Sequence, residues 1–284
     1  MTMHNDSSWK LGLIGSGVMA EVLIRGLLKK GVLPPERILA SDRREARTTA
    51  LHQTYGIQAT TDNGAVAQEV DLLVLSVKPQ TLDSVLRELK GQIPAHTLVV
   101  SIVAGARMSV LRTGLQHERV VRCMPNLPCR IGKGMTVWSA PVDAAAADCQ
   151  RVSEVLSVMG DEIQVEDESH VDRATAVNGT GPAIVAEFVK SMMEAATYIG
   201  ESRTVAQKSV LSTLLGTVEM IGQSEEHVAQ MIDEVTSPGG TTSRALQTLK
   251  QGKFGAVLTE AVTAAYERTV ELGDQLEARL NDEA

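Results

Sequence analysis

The chain has 284 residues, a formal net charge of −8, and only two Trp, three Tyr and two Phe. An acidic balance disfavours nucleic acid and anionic membranes as partners, and so few aromatic rings leave no stacking platform for single-stranded nucleic acid. This length suits two domains of ordinary size, or one large one, and easily buries a core.

Met1 to Trp9 is polar and lacks a basic or apolar leader stretch, so no signal peptide is expected. No apolar run approaches the ~18 residues of a membrane span, and a soluble, cytoplasmic protein is expected. Cys123, Cys129 and Cys149 are odd in number and contain no C-x-x-C pair. No arrangement of them with His4, His52, His96, His117, His170 or His227 has zinc-ligand spacing, so reduced thiols and no metal are expected.

In chain order, short β-rich runs occur at Leu11 to Gly15, Arg37 to Asp42, Leu72 to Val77, Thr97 to Val103 and Arg119 to Met124. The first four are nearly continuous in Val, Ile and Leu, as strands covered on both faces of a parallel sheet must be. Helical stretches lie between them, at Ala20 to Lys30, Glu45 to Tyr55 and Leu82 to Leu89. The alternation predicts a doubly wound α/β domain over residues 1–166, with Ser16, Asp42, Lys78 and Asn126 meeting in a crevice beyond the strands' carboxyl ends. Lys133 to Ser139 and Glu162 to Val165 read as late strands closing the sheet, and Ala144 to Ala147 as helical surface.

Strand signals stop after Glu166. Residues 167–284 read as an all-α domain, helical from Val171 to Leu280, with Gly200, Gly222, Gly252 and Gly273 as breaks. Its Ala, Val, Leu and Met occupy several faces, more than a small bundle normally exposes. Burial in a homodimer is the preferred explanation, and an all-apolar helix buried within one subunit is the alternative.

Two segments carry chemistry. Lys10 to Ala20 is an apolar run that breaks into Gly15-Ser-Gly17-Val-Met-Ala20, followed by Leu23, Ile24, Leu27 and Leu28 at helical spacing. Strand, glycine turn and helix are the context of the dinucleotide fingerprint. Gly15 permits the tight turn, Gly17 lets a pyrophosphate reach the backbone, and Ala20 lets helix and strand pack closely. Asp42 ends the second strand at the spacing of a ribose-binding carboxylate, about 20 residues on. The second segment is Asp233 to Leu246. Ser237 reads as an N-cap, Pro238 as the first helical residue, and Ala245, Leu246 and Leu249 as the apolar face. Gly239 and Gly240 leave the first turn without side-chain bulk, so its free N–H groups suit a small carboxylate, with Thr241 and Thr242 adding hydroxyls.

With both ends in view, the chain resembles the pyrroline-5-carboxylate reductase family from Lys10 to about Gly273. The resemblance is carried by Gly15 to Ala20, Val77-Lys-Pro-Gln80, Ser101 to Gly105, Met124-Pro-Asn-Leu-Pro128, Asn178 to Ala183 and Ser237-Pro-Gly-Gly-Thr-Thr242. The last of these is highly specific to the family. Val18 and Leu127 depart from its pattern, where a polar residue and Thr are usual, and both lie on the cofactor side.

The resemblance implies a Rossmann-like doubly wound sheet followed by an all-α C-terminal dimerisation domain. It also implies reduction of 1-pyrroline-5-carboxylate, a cyclic imine carboxylate, to L-proline by NADPH or NADH. It puts the substrate at Ser237, Gly239, Gly240, Thr241 and Thr242, with the Thr242 hydroxyl on the ring nitrogen as the catalytic group. The cofactor falls to Gly15, Ser16, Gly17, Val18, Met19, Ala20, Asp42, Arg43, Asn63, Val77, Lys78, Pro79 and Asn126. Asp42 favours the free 2′-hydroxyl of NADH, whereas Arg43 and Arg44 suit the 2′-phosphate of NADPH. A homodimer, with a higher ring of dimers possible, is the implied assembly.

Three rivals remain in view. β-Hydroxyacid dehydrogenases carry a catalytic Lys where Val185 stands here, and Lys190 is out of register. A paralogue reducing another cyclic imine has only Val18 and Leu127 in its favour. A dinucleotide sensor without turnover has no need of a carboxylate loop.

Overall fold

The computed structural model describes residues 9–282; the polar segment before Trp9, on which the leader-peptide expectation rests, lies outside them. The first half runs β1 (Leu11–Ile14), α1 (Val18–Lys30), β2 (Ile38–Ser41), α2 (Glu45–Tyr55), β3 (Gln58–Thr60), α3 (Asn63–Glu69), β4 (Leu72–Leu75) and α4 (Pro79–Leu89). It continues with β5 (Leu98–Ser101), α5 (Met108–Leu115), β6 (Val120–Met124), β7 (Gly134–Ser139), α6 (Ala146–Leu156), β8 (Gly160–Gln164) and α7 (Ser169–Ala174). The remaining helices are α8 (Gly181–Tyr198), α9 (Arg203–Gln223), α10 (Val228–Glu234), α11 (Thr241–Gln251) and α12 (Phe254–Asp282).

The strands form one eight-stranded sheet in the order β3-β2-β1-β4-β5-β6-β7-β8. All pairings are parallel except β6 with β7. Leu11 of β1 faces both Ile38 and Leu72, so β1 is the central strand where the order reverses.

Side-chain alternation explains the unbroken apolar runs. Leu11, Leu13, Leu72, Val74, Leu98 and Val100 point to one face and pack under α1, α2 and α6. Ile14, Leu73, Leu75 and Val99 point to the other, under α3, α4 and α5. Each strand residue therefore enters a dry layer, worth about 1.5–3 kcal/mol for a large aliphatic side chain. Helix α4 shows the matching pattern, with Pro79 in its first turn and Leu82, Val85, Leu86 and Leu89 buried along one stripe.

Three elements were not anticipated: β3, α3 and α5. β3 is only three residues long at the sheet's edge, with no apolar run. Gly222 lies at the end of α9, which stops at Gln223, whereas Gly273 sits inside α12 and does not break it. An interior Gly costs about 1 kcal/mol, which long, otherwise continuous helices absorb.

The chain divides into two compact units, one ending at Thr180 and resuming at Ala265, the other spanning Gly181–Ala264. In the first, Leu276 of α12 joins the core beneath α4 and α5. Arg107 holds Asp274 and Glu277 of the same helix at 2.6 and 3.0 Å. Nearby, the fully buried Arg122 of β6 pairs with Glu168 at 3.0 Å and Asp172 at 2.5 Å.

Within the second unit, α8 and α9 pack together and Phe188 meets Phe254 with ring centroids 6.3 Å apart. Ala206, Val210 and Met231 are its only buried hydrophobic residues among those described. Leu215, Val218, Val185 and Val257 are all more than half exposed. No described helix is long and apolar enough to cross a membrane.

Candidate active site

At the carboxyl ends of β1, β2 and β4 the chain opens a cavity of ≈ 380 Å³. Gly15 turns out of β1 with φ 86, a left-handed value that glycine adopts without strain. A side chain there would also strike Val77 Cγ1 at 2.6 Å and the Ser76 carbonyl oxygen at 2.9 Å. Gly17 differs. Its backbone is ordinary extended chain, it caps α1 without a side-chain bond, and nothing lies within 4 Å of where a Cβ would stand. The first-turn N–H groups of α1 therefore open onto bare space at the positive end of the helix.

Gly15, Gly17, Asp42, Arg43, Asn63, Val77 and Lys78, all assigned to the cofactor from sequence, line this cavity. Ser16 and Ala20 are instead fully buried behind the turn, where the Ser16 hydroxyl donates to the Ser41 carbonyl at 2.9 Å. Arg47 clamps the same turn from behind, donating to the Ser16 carbonyl at 2.7 Å and to Glu21 at 2.6 Å. That bond and a second from Tyr55 draw the Glu21 carboxyl below its ordinary pKa, against the opposing push of burial. Val18 is exposed, Met19 packs on the core, and Pro79 opens α4; none of the three lines the cavity.

The ribose end has a pairing that spacing alone does not reveal. Both oxygens of Asp42 are engaged by Arg44, Oδ1 by Nε at 2.9 Å and Oδ2 by Nη2 at 3.2 Å. Burial pushes the Asp42 carboxyl up, but the bonds from Arg44 outweigh it and leave the group below its usual range. Arg43 has no hydrogen-bond or ion-pair partner among the described residues. Asn63 accepts from the Ser41 hydroxyl at 2.7 Å and donates to Glu88 at 2.8 Å. Glu88, Thr81, Ser84 and Val85 of α4 also line the cavity and were not anticipated. Their i, i+3, i+4, i+7 spacing was the available signal.

Asn126 does not line this cavity. It lies past the end of β6, half-buried, with Asn178 and Met135 as hydrogen-bond partners.

In the second unit, Ser237 is not the N-cap. Helix α11 begins at Thr241 with Gly240 as its cap. Ser237 to Gly240 form a tight turn instead, closed by the Gly240 N–H on the Ser237 carbonyl at 3.0 Å. Pro238 and Gly239 occupy its corners, and φ 73 at Gly239 is what a type II turn demands of its third residue. Turn chemistry thus displaces the helix start by three residues. The free first-turn N–H groups belong to Thr241, Thr242 and Ser243, with Gly240 held bare because a Cβ there would meet Ser237 Oγ.

Comparison with known proteins bears on both units. Residues 168–272 match the family described as pyrroline-5-carboxylate reductase dimerisation, and residues 10–105 match NADP oxidoreductase coenzyme F420-dependent. A pyrroline-5-carboxylate reductase of Synechocystis is 38% identical over 266 residues, covering 94% of this chain and 99% of that protein. The solved pyrroline-5-carboxylate reductase of Coxiella burnetii superposes with a TM-score of 0.86 at 30% identity, covering 94% and 99% of the two chains. The Plasmodium falciparum pyrroline carboxylate reductase, solved with NADP bound, gives 0.84 at 29% identity, covering 94% and 98%. On likeness of this extent, the chain belongs to the pyrroline-5-carboxylate reductase family.

Proposed function

We propose that this protein reduces 1-pyrroline-5-carboxylate to L-proline with NADPH or NADH as hydride donor. The observation that carries the reading is the bare, uncapped glycine turn at the sheet's reversal point, in a chain that also keeps the family's Ser237–Thr242 loop intact. In this reading the open space above Gly17 receives the pyrophosphate and the adjoining cavity the adenosine.

In this reading Gly15, Ser16, Gly17, Val18, Met19 and Ala20 form the phosphate turn. Asp42, Arg43 and Asn63 hold the adenosine ribose, and Val77, Lys78, Pro79 and Asn126 flank the nicotinamide half. The unpaired Arg43, beside an Asp42 already neutralised by Arg44, favours a 2′-phosphate and hence NADPH. When bound, the reduced nicotinamide supplies the hydride that adds to the imine carbon.

The chain's own residues are then asked for little chemistry. Ser237, Gly239, Gly240, Thr241 and Thr242 hold the substrate carboxylate, chiefly through first-turn N–H groups. The Thr242 hydroxyl hydrogen-bonds the ring nitrogen and fixes the face of the imine. A protonated imine is already electrophilic, so no protein nucleophile is needed, and alignment of the reacting carbons supplies most of the acceleration.

Functionally, residues 1–166 serve the dinucleotide, while residues 167–284 serve the substrate and the dimer. The exposed Leu215, Val218 and Val257 support a homodimer built through the helical part, with rings of dimers as a possible extension of it. The same reading puts the enzyme in the cytoplasm, beside the rest of amino-acid synthesis.

The direct test mixes the protein with NADPH and pyrroline-5-carboxylate and follows reduced-nicotinamide absorbance and proline formation together. Loss of absorbance matched by proline is expected. Cofactor binding without consumption would refute the assignment.

A further inference from the structure

Asn178 has no part in the site just described. It lies in a single π-helical turn, Thr175–Gly179, between α7 and α8. Wide turns of this kind recur at functional positions. Its side-chain nitrogen donates to two main-chain carbonyls, those of Met124 at 3.0 Å and Met135 at 2.9 Å. Only an amide nitrogen can face two carbonyls, so the Asn178 oxygen must face the other way. There it accepts from Asn126 Nδ2 at 2.6 Å.

That contact in turn orients Asn126. Its nitrogen faces Asn178, and its oxygen accepts from the Met135 N–H at 3.0 Å. An amide nitrogen carries two hydrogens, and one of them has no acceptor among the described residues.

The sheet order places Asn126 on the side toward which a bound dinucleotide would extend. β1, bearing the glycine turn, lies between β2 and β4, and β6 lies two strands beyond β4. A dinucleotide with its pyrophosphate on Gly17 and its adenosine over β2 must extend its other half toward the carboxyl ends of β4, β5 and β6. Asn126 follows β6 at that edge.

We propose that Asn178 is a positioning residue that, by fixing the Asn126 amide, aims its remaining N–H at an oxygen acceptor on the nicotinamide half, such as the carboxamide carbonyl. The proposal rests on the cofactor reading above.

The test compares two ligands on the full-length protein: NADPH, and 2′-phospho-ADP-ribose, which is the same molecule without nicotinamide. Asn178→Ala frees the Asn126 amide to rotate. It is expected to weaken NADPH about three- to tenfold, the worth of one hydrogen bond, and to leave the nicotinamide-free ligand unchanged. The double variant with Asn126→Ala should bind NADPH no more weakly than Asn126→Ala alone, because both act through one bond. Asn178→Ser keeps one donor to the two carbonyls and tests the same ratio if the alanine variant loses its fold.

Equal weakening of both ligands would overturn the proposal, since Asn178 would then only shape the fold. So would additive losses, or no loss at all. If the unsubstituted protein binds neither ligand, the cofactor reading falls and takes this proposal with it.

Discussion

Two neighbouring glycines should respond to substitution in opposite ways. At Gly17 the backbone already adopts a conformation open to any residue, and no atom lies within 4 Å of the missing Cβ. Gly17→Val therefore loses only a tolerable helix cap, about 0.5–1 kcal/mol, which lowers Tm by a few degrees at most. Its branched side chain fills the space a pyrophosphate needs. If two N–H bonds to charged phosphate are lost at about 1.5–3 kcal/mol each, binding falls by roughly two to four orders of magnitude.

At Gly15 the methyl of Ala meets Val77 Cγ1 at 2.6 Å and the Ser76 carbonyl oxygen at 2.9 Å, on a backbone with φ 86. Left-handed backbone costs about 1–2 kcal/mol, and the overlap about 1–3 more, so Gly15→Ala should unfold several degrees earlier. Thermal denaturation with and without NADPH, together with calorimetric titration, separates the two. An unchanged Kd for Gly17→Val would refute the phosphate assignment. A collapse of its Tm would refute the claim that the space is open.

Thr242→Val keeps shape and deletes one hydroxyl; kcat/KM should fall about ten- to a hundredfold, from a lost bond of roughly 1.5–3 kcal/mol, while proline still inhibits. Unaltered kcat/KM would reduce Thr242 to a structural residue. Arg43→Ala should weaken NADPH about ten- to a hundredfold and spare NADH, and equal losses would make Arg43 mere solvated surface. Glu21 has its folded pKa held below the unfolded value, so its contribution to stability is present above the unfolded pKa and disappears as pH falls through the folded one. Glu21→Gln should therefore flatten the acid limb of a Tm-against-pH curve, and an unchanged limb would show that the Arg47 contact is idle. Light scattering at micromolar concentration should give at least twice the mass of one chain; a monomer would contradict the dimer.

The nucleotide sheet was legible because both of its faces are buried. Leu72–Leu75 has to be apolar throughout, and so announces itself. β3 escaped notice because Gln58–Thr60 is a short edge strand whose partner is on one side only. At the site, Gly15, Gly17 and Asp42 could be found from spacing, since covalent order dictates where a strand end delivers them. Arg44 on Asp42 could not, because side-chain pairing there depends on how α2 starts. Ser237 was misread because Ser-Pro imitates a helix entry, and two following glycines allow a turn to take precedence. The Asn126–Asn178 pair was visible only as two separate motifs. Their amides meet because the turn carrying Asn178 packs against β6, where its amide bridges the Met124 and Met135 carbonyls, a tertiary fact that neither motif contains.

The return of α12 also bears on how the protein is made. Leu276 completes a core layer beneath α4 and α5, and Asp274 and Glu277 neutralise Arg107. A ribosome delivers the sheet first and this closing segment last, after the whole intervening helical unit has emerged. Until then the layer under α4 and α5 has an open seat and Arg107 lacks its counter-ions. Gene fragments ending before Ala265 are therefore poor sources of an isolated nucleotide unit, whereas one that fuses the stretch from Ala265 onward directly after Thr180 restores its missing piece.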